Sequence, residues 1–206
     1  MAHGRFRAVF SDIGGVLGTN GWDTRLRRKI AEHFRCDFED IERRHQLIFD
    51  SFERGYMLFE RYLQHVFFGS PRDFGVKDVR RFAYRESIAW PENILFLQAI
   101  RRANDVKLGL ISNEGEGLTE YRVKTFGLRE AADFLIFSHF VHMRKPDREI
   151  WQLALNLAQV KAREAIYIDD REMFVDIAAD MGFTALHYVS LASMRDQMQR
   201  LGLSVA

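Results

Sequence analysis

The sequence predicts an α/β protein built on a parallel sheet, with one all-helical insert after the first strand. Three observations predict it. Short apolar runs that end in polar residues recur along the chain, and helical patterns lie between the later ones. The stretch from about residue 21 to 87 shows helical periodicity and turn signals but no convincing strand. At 206 residues the chain is long enough for a core domain that carries a smaller insert.

The first run, Arg7 to Asp12, is apolar, ends in an acid and is followed by Gly14, Gly15 and Gly18, so it reads as a buried strand entering a tight turn. The insert follows, with turn signals at Arg54-Gly55, Gly69-Ser70-Pro71 and Phe74-Gly75. The expected boundaries are residues 1–19 and 88–206 for the core domain and 20–87 for the insert. Beyond it, Glu92 to Ala103 carries Ile94, Leu95, Leu97 and Ile100 at helical spacing. Lys107 to Ser112 (KLGLIS) and Phe134 to Ser138 (FLIFS) read as the next strands. Glu149 to Ala158 is a helix with Ile150, Trp151, Leu153, Ala154 and Leu157 as its apolar residues. Ala165 to Asp170 (AIYIDD) is a strand ending in two acids, and Thr184 to Tyr188 adds a last one.

A hydrophobic share of 47%, a charged share of 29% and a net charge of +1 fit an ordinary globular protein. Nothing in that balance points to nucleic acid or a membrane surface as partner. The cluster Arg25, Arg27, Arg28 and Lys29 reads as a solvated helix face. A single cysteine, Cys36, leaves no internal disulfide and suits a reducing compartment. Without a transmembrane-length apolar run or a signal-peptide layout, the expected location is the cytoplasm.

Open α/β sheets bind ligands at the carboxyl ends of their strands. Here those ends present Asp12, Ser112 and the pair Asp169 and Asp170, with Lys145 a short loop after the third strand. Each has a plainer reading: Asp12 as a turn former, Ser112-Asn113 and Asp169-Asp170 as helix caps, Lys145-Pro146 as a helix start. Convergence on one sheet edge favours a shared site. A carboxylate is already ionised at neutral pH and needs no base to act as a nucleophile toward phosphorus. Mg²⁺ held by carboxylates such as Asp12 and Asp170 would relieve the repulsion between that nucleophile and an anionic phosphate. Lys145, the Ser112 hydroxyl and nearby amides would hold phosphate oxygens.

Four segments, Asp12-Ile13-Gly14-Gly15-Val16-Leu17, Leu110-Ile111-Ser112-Asn113, Met143-Arg144-Lys145-Pro146-Asp147 and Ile168-Asp169-Asp170, resemble in order and spacing the motifs of the haloacid dehalogenase (HAD) superfamily. The Phe52-Glu53-Arg54-Gly55 turn and the Met-Arg-Lys-Pro run are similar to those of sugar-phosphate phosphatases of the α-D-glucose-1-phosphatase type. The resemblance implies a Rossmann-like parallel-sheet core with a helical cap, and a Mg²⁺-dependent phosphatase acting on a small phosphorylated metabolite. It implies Asp12 as the nucleophile, and Asp12, the Gly14 carbonyl and Asp170 as metal ligands with Asp169 as a further carboxylate. Ser112 and Lys145 would bind phosphate, helped by the amides of Gly15 and Asn113.

Two positions depart from that pattern. Most HAD phosphatases carry a second, acid–base aspartate where this chain has Gly14, and such catalysis is worth about 10²- to 10⁴-fold. Glu114, Glu116 or a cap residue replaces it, or the leaving group needs no proton, or the chain is a slow enzyme or a phosphate binder. Phe174 stands where relatives support the metal with Asp or Asn, a loss that commonly weakens affinity about 10- to 100-fold; Asp176 would face another side of the helix. Metal-free dehalogenases of the superfamily also lack the second aspartate, but paired acids at Asp169 and Asp170 favour a cation. Trp22, Tyr56 and Phe59 read as core or as a substrate-facing surface of the cap, and His139 and His142 show no metal-ligand spacing.

Overall fold

The computed structural model describes residues 5–205, so the first four residues and the last of the expected core domain lie outside the described residues. The chain runs β1 (Ala8–Ser11), α1 (Thr24–His33), α2 (Phe38–Glu53), α3 (Phe59–Phe67), α4 (Val76–Arg85), α5 (Pro91–Asn104), β2 (Lys107–Ser112), α6 (Glu116–Thr125) and α7 (Leu128–Ala131). It continues with β3 (Phe134–Phe137), α8 (Ser138–Val141), α9 (Arg148–Ala158), β4 (Ala165–Asp169), α10 (Glu172–Asp180), β5 (Thr184–His187) and α11 (Leu191–Arg200). The strands form one parallel sheet in the order β3-β2-β1-β4-β5.

Successive strand residues face opposite sides of a sheet, so an apolar run buried on both sides feeds two cores. Val9, Leu108, Leu110, Ile166 and Ile168 join the core beneath α5, α7 and α11. Ala8, Phe10, Ile111, Ala165 and Tyr167 join the other, with Ile150, Trp151 and Ala154 of α9 and Phe174 of α10. Each fully buried Ile or Leu contributes on the order of 1.5–3 kcal/mol. This is the α/β fold the sequence predicts, and the stretch after β1 is all-helical. Helices α1–α4 enclose a third core, including Ile30, Ile41, Tyr62, Leu63 and Val79. Asp23 starts α1 by accepting from the Leu26 amide at 2.8 Å, and Asp37 starts α2 through the Glu39 amide at 2.9 Å. Among the described residues no helix is long and apolar enough to cross a membrane.

Several local readings change. Leu95 and Leu157 point outward at 62% and 51% exposure; Phe96 packs inward on α5, alongside Ile94 and Leu97. Arg27 is not solvated: it is 3% exposed, pairs with Glu42 and donates to the Trp22 carbonyl at 2.5 Å. The plainer helix-start readings also fail for two motifs. Ser112 closes β2 and α6 begins only at Glu116, while α9 begins at Arg148 rather than at Pro146.

Candidate active site

The central strand β1 lies between β2 and β4, with Ser11 paired to Leu110 on one side and Ile168 on the other. That register carries Asp12 off the sheet edge beside the acids that follow Ile168. The Asp12 amide donates to the Ile168 carbonyl at 2.8 Å, and Asp12 Oδ1 accepts from the Ile13 amide at 2.7 Å. The turn then needs Gly15: its φ is +73°, and a Cβ there would run into the Asp170 carboxylate.

Lys145 is 1% exposed and its Nζ lies 2.7 Å from Asp169 Oδ2 and 3.1 Å from Asp12 Oδ1. Its backbone is clamped by Asn113, whose Oδ1 accepts from the Lys145 amide and whose Nδ2 donates to the Lys145 carbonyl, both at 2.8 Å. Phe174 is explained by the same lysine. Its ring lies 5.1 Å from Nζ, so the side chain walls the ammonium with an aromatic face instead of supporting a metal. Asp176 is exposed on α10, as its helical position implies.

The two acids after β4 differ. Asp169 is held by three donors: Oδ2 accepts from Lys145 and from the Tyr167 hydroxyl, and Oδ1 accepts from the Arg171 amide at 2.9 Å. Asp170 Oδ2 accepts from Asn20 at 3.1 Å, while its buried Oδ1 has no partner among the described residues. One oxygen from each of Asp12, Asp169 and Asp170 lies within 4.8 Å of the others. Three carboxylates thus face one ammonium. Burial, opposed by Lys145 and reinforced by Asp169 and Asp170, pushes Asp12 up to about 7. Burial likewise raises Asp170 against the Asn20 hydrogen bond.

Of these groups Asp12 and Lys145 border a cavity of ≈ 50 Å³, joined by Ser112 on the sheet side and by Trp22 and Glu53 on the side of the helical insert. Ser112 as a residue is 3% exposed, and among the described residues its hydroxyl makes no hydrogen bond to protein. Of the aromatics considered as a substrate face, only Trp22 borders this cavity. Phe59 packs into the insert core, and Tyr56 is exposed and stacks on His142.

Glu114 is engaged elsewhere. It is buried and ion-paired with Arg122, which also donates to Ser87 Oγ at 2.7 Å and to the Thr19 carbonyl. His139 is buried with Nδ1 2.9 Å from the Glu114 carbonyl, and among the described residues it belongs to no cluster of metal-ligating side chains. The residues that sequence reasoning missed are Asn20, Arg122, Tyr167 and Arg171. In the sequence Glu53 stands out only as part of the Phe52-Glu53-Arg54-Gly55 turn. None sits at a strand end, and no periodic signal marks them.

A profile of the family described as haloacid dehalogenase-like hydrolase matches residues 6–182. GMP/IMP nucleotidase YrfG of Escherichia coli (strain K12) is 26% identical over 91 residues, covering 44% of this chain and 40% of the nucleotidase. Flavin mononucleotide hydrolase 1 of Arabidopsis thaliana is 24% identical over 168 residues, covering 81% of this chain and 66% of the hydrolase. The chain therefore spans less than two thirds of the length of either relative. Among solved structures, a HAD family enzyme from Bacteroides thetaiotaomicron in complex with magnesium and inorganic phosphate superposes with a TM-score of 0.76 at 19% identity, covering 90% of this chain and 96% of that one. L-2-haloacid dehalogenase from Xanthobacter autotrophicus, with chloropropionic acid covalently bound, superposes with a TM-score of 0.63 at 18% identity, covering 98% and 84%. These likenesses establish the fold, and the match over residues 6–182 establishes that the chain belongs to the haloacid dehalogenase-like hydrolases.

Proposed function

We propose that this chain hydrolyses a small phosphate monoester through an aspartyl-phosphate formed on Asp12, with residues 20–87 acting as a cap over the core. The observation that carries the reading is the unpartnered, buried Asp170 Oδ1 beside Asp12 in a site with three carboxylates and one ammonium. A buried acceptor with surplus negative charge around it fits a hard divalent cation. Asp12, Asp170 and the Gly14 carbonyl would hold Mg²⁺. Asp169 belongs to the same cluster, but its hydrogen bonds make it the residue that anchors Lys145. When bound, the ion supplies charge neutralisation between nucleophile and phosphate.

The chain's own residues do the rest. Asp12 Oδ1 accepts from the Ile13 amide at 2.7 Å and lies 3.1 Å from Lys145 Nζ, so the attack is assigned to Oδ2, the oxygen without these donors. Attack forms the P–Oδ2 bond as the bond to the leaving oxygen breaks; water then cleaves P–Oδ2 and releases inorganic phosphate. Lys145 and the Ser112 hydroxyl hold the phosphate oxygens, and the amides of Gly15 and Asn113 add donors. The nucleotidase and the flavin mononucleotide hydrolase are both named for substrates that are phosphate monoesters, which supports the substrate class. With three clustered carboxylates around Asp12 and the Lys145 ammonium already paired to two of them, turnover is expected to require magnesium.

Hydrolysis of p-nitrophenyl phosphate and acetyl phosphate, with and without Mg²⁺, tests this. Wild type should turn over only with the metal, and Asp12→Asn should lose at least about 10³-fold in rate. Turnover indifferent to Asp12→Asn sinks the assignment. Metal-free chloride release from 2-chloropropionate would put a dehalogenase in its place.

A further inference from the structure

We propose that Glu53, which the helical insert contributes, is the acid–base catalyst that Gly14 cannot be. The proposal rests on the phosphatase reading of Asp12. Glu53 ends α2 and borders the same ≈ 50 Å³ cavity as Asp12, Ser112 and Lys145. A phosphate seated against Asp12 in this cavity would have Asp12, Ser112 and Lys145 on one side and the insert's Trp22 and Glu53 on the other.

The other acids on that cavity differ from Glu53. Asp12 is the nucleophile, Glu114 is ion-paired with Arg122, and Asp23 caps α1 through Oδ1 with, among the described residues, no cation to orient its carboxylate. The position beside Gly14 is taken as well. A Cβ on Gly14 would lie 2.9 Å from Asn20 Oδ1, and that amide has no titratable proton to exchange. Glu53 is held but not consumed. Both contacts from Arg144, Nε at 2.8 Å and Nη2 at 2.6 Å, fall on Oε2, and among the described residues Oε1 has no donor. The pair fixes the carboxylate while leaving one oxygen for chemistry. Burial raises Glu53 above the usual carboxylate range, opposed by Arg144 and Arg171 and assisted by Asp50.

The proton count closes. Protonated Glu53 gives its hydrogen to the leaving oxygen as the P–O bond breaks. The resulting carboxylate takes a proton from water as that water attacks phosphorus and P–Oδ2 of Asp12 breaks. Glu53 ends protonated, as it began.

The test is kcat/KM, which reports the first chemical step, across phosphate esters of graded leaving group in the magnesium-loaded full chain. Glu53→Gln should lose about 10²- to 10⁴-fold on glycerol 2-phosphate. The loss on 2,4-dinitrophenyl phosphate should be at least about tenfold smaller, because that leaving group departs without a proton. An equal loss on both, or none on either, overturns the role of Glu53 and leaves Asp12 standing. Absence of turnover of every ester by wild type overturns both. Arg144→Met provides an independent measurement should Glu53→Gln fold poorly: without the guanidinium, the basic limb of the kcat/KM profile should move to higher pH. A limb that stays in place overturns the proposal.

Discussion

Asp12 is a carboxylate held where burial and two neighbouring acids disfavour its charge, with Lys145 opposing them. Its folded value of about 7 lies above its ordinary 3.8, so the folded state binds the extra proton between those values. The stability contributed is complete below the ordinary value and is lost as pH rises through about 7. Metal-free wild type should therefore fall in thermal midpoint, relative to Asp12→Asn, as pH rises from 4 toward 8. Mg²⁺ should raise the wild-type midpoint at pH 8 far more than that of the variant. Parallel midpoint curves for the two proteins, with no metal-dependent gap, would show that the Asp12 charge is not strained. The same scale explains Phe174, where the absence of a metal-supporting acid is matched by an aromatic wall around the Lys145 ammonium.

At the scale of elements, Arg122 of α6 ties together the two strands of chain that join the insert to the core. It is fully buried and bonds the Thr19 carbonyl, Ser87 Oγ and Glu114, while the Thr19 amide donates a hydrogen bond to the Ile88 carbonyl at 2.9 Å. Removing one member of a buried ion pair leaves the other charge uncompensated, at about 3–5 kcal/mol. Arg122→Met should lower stability by that amount in urea unfolding, and adding Glu114→Gln should recover part of it. A double variant no more stable than the single one would mean that packing, and not the stranded carboxylate, carries the loss. The strand ends supplied Asp12, Ser112, Asp169 and Asp170 to sequence reasoning because a run of apolar residues ending in a polar one is a local pattern. Helix faces were less legible: Leu95 and Leu157 fit the apolar period yet point to solvent, since neighbouring positions on a helix compete for one core.

Across the whole molecule, the turn after α2 grips the loop that carries Lys145. Arg54 pairs with Asp147 at 2.6 Å and donates to the His142 carbonyl at 3.2 Å, next to the Glu53–Arg144 pair. Partly exposed pairs of this kind contribute only about 0.2–1 kcal/mol each, so under the proposed cap role their loss is expected in substrate binding more than in stability. Arg54→Ala should change the thermal midpoint little while raising KM severalfold; a large midpoint drop with unchanged KM would refute the division. By itself the sequence determined the parallel sheet, the helical insert and the polar groups at the strand ends, because each is written in neighbouring residues and their period. Only the tertiary structure decided that Asn20 meets Asp170, that Arg122 reaches Thr19 and that Glu53 closes the cavity against Arg144. Those partners stand 150, 103 and 91 residues apart, and no local pattern encodes a contact whose geometry exists only once two packed layers have met.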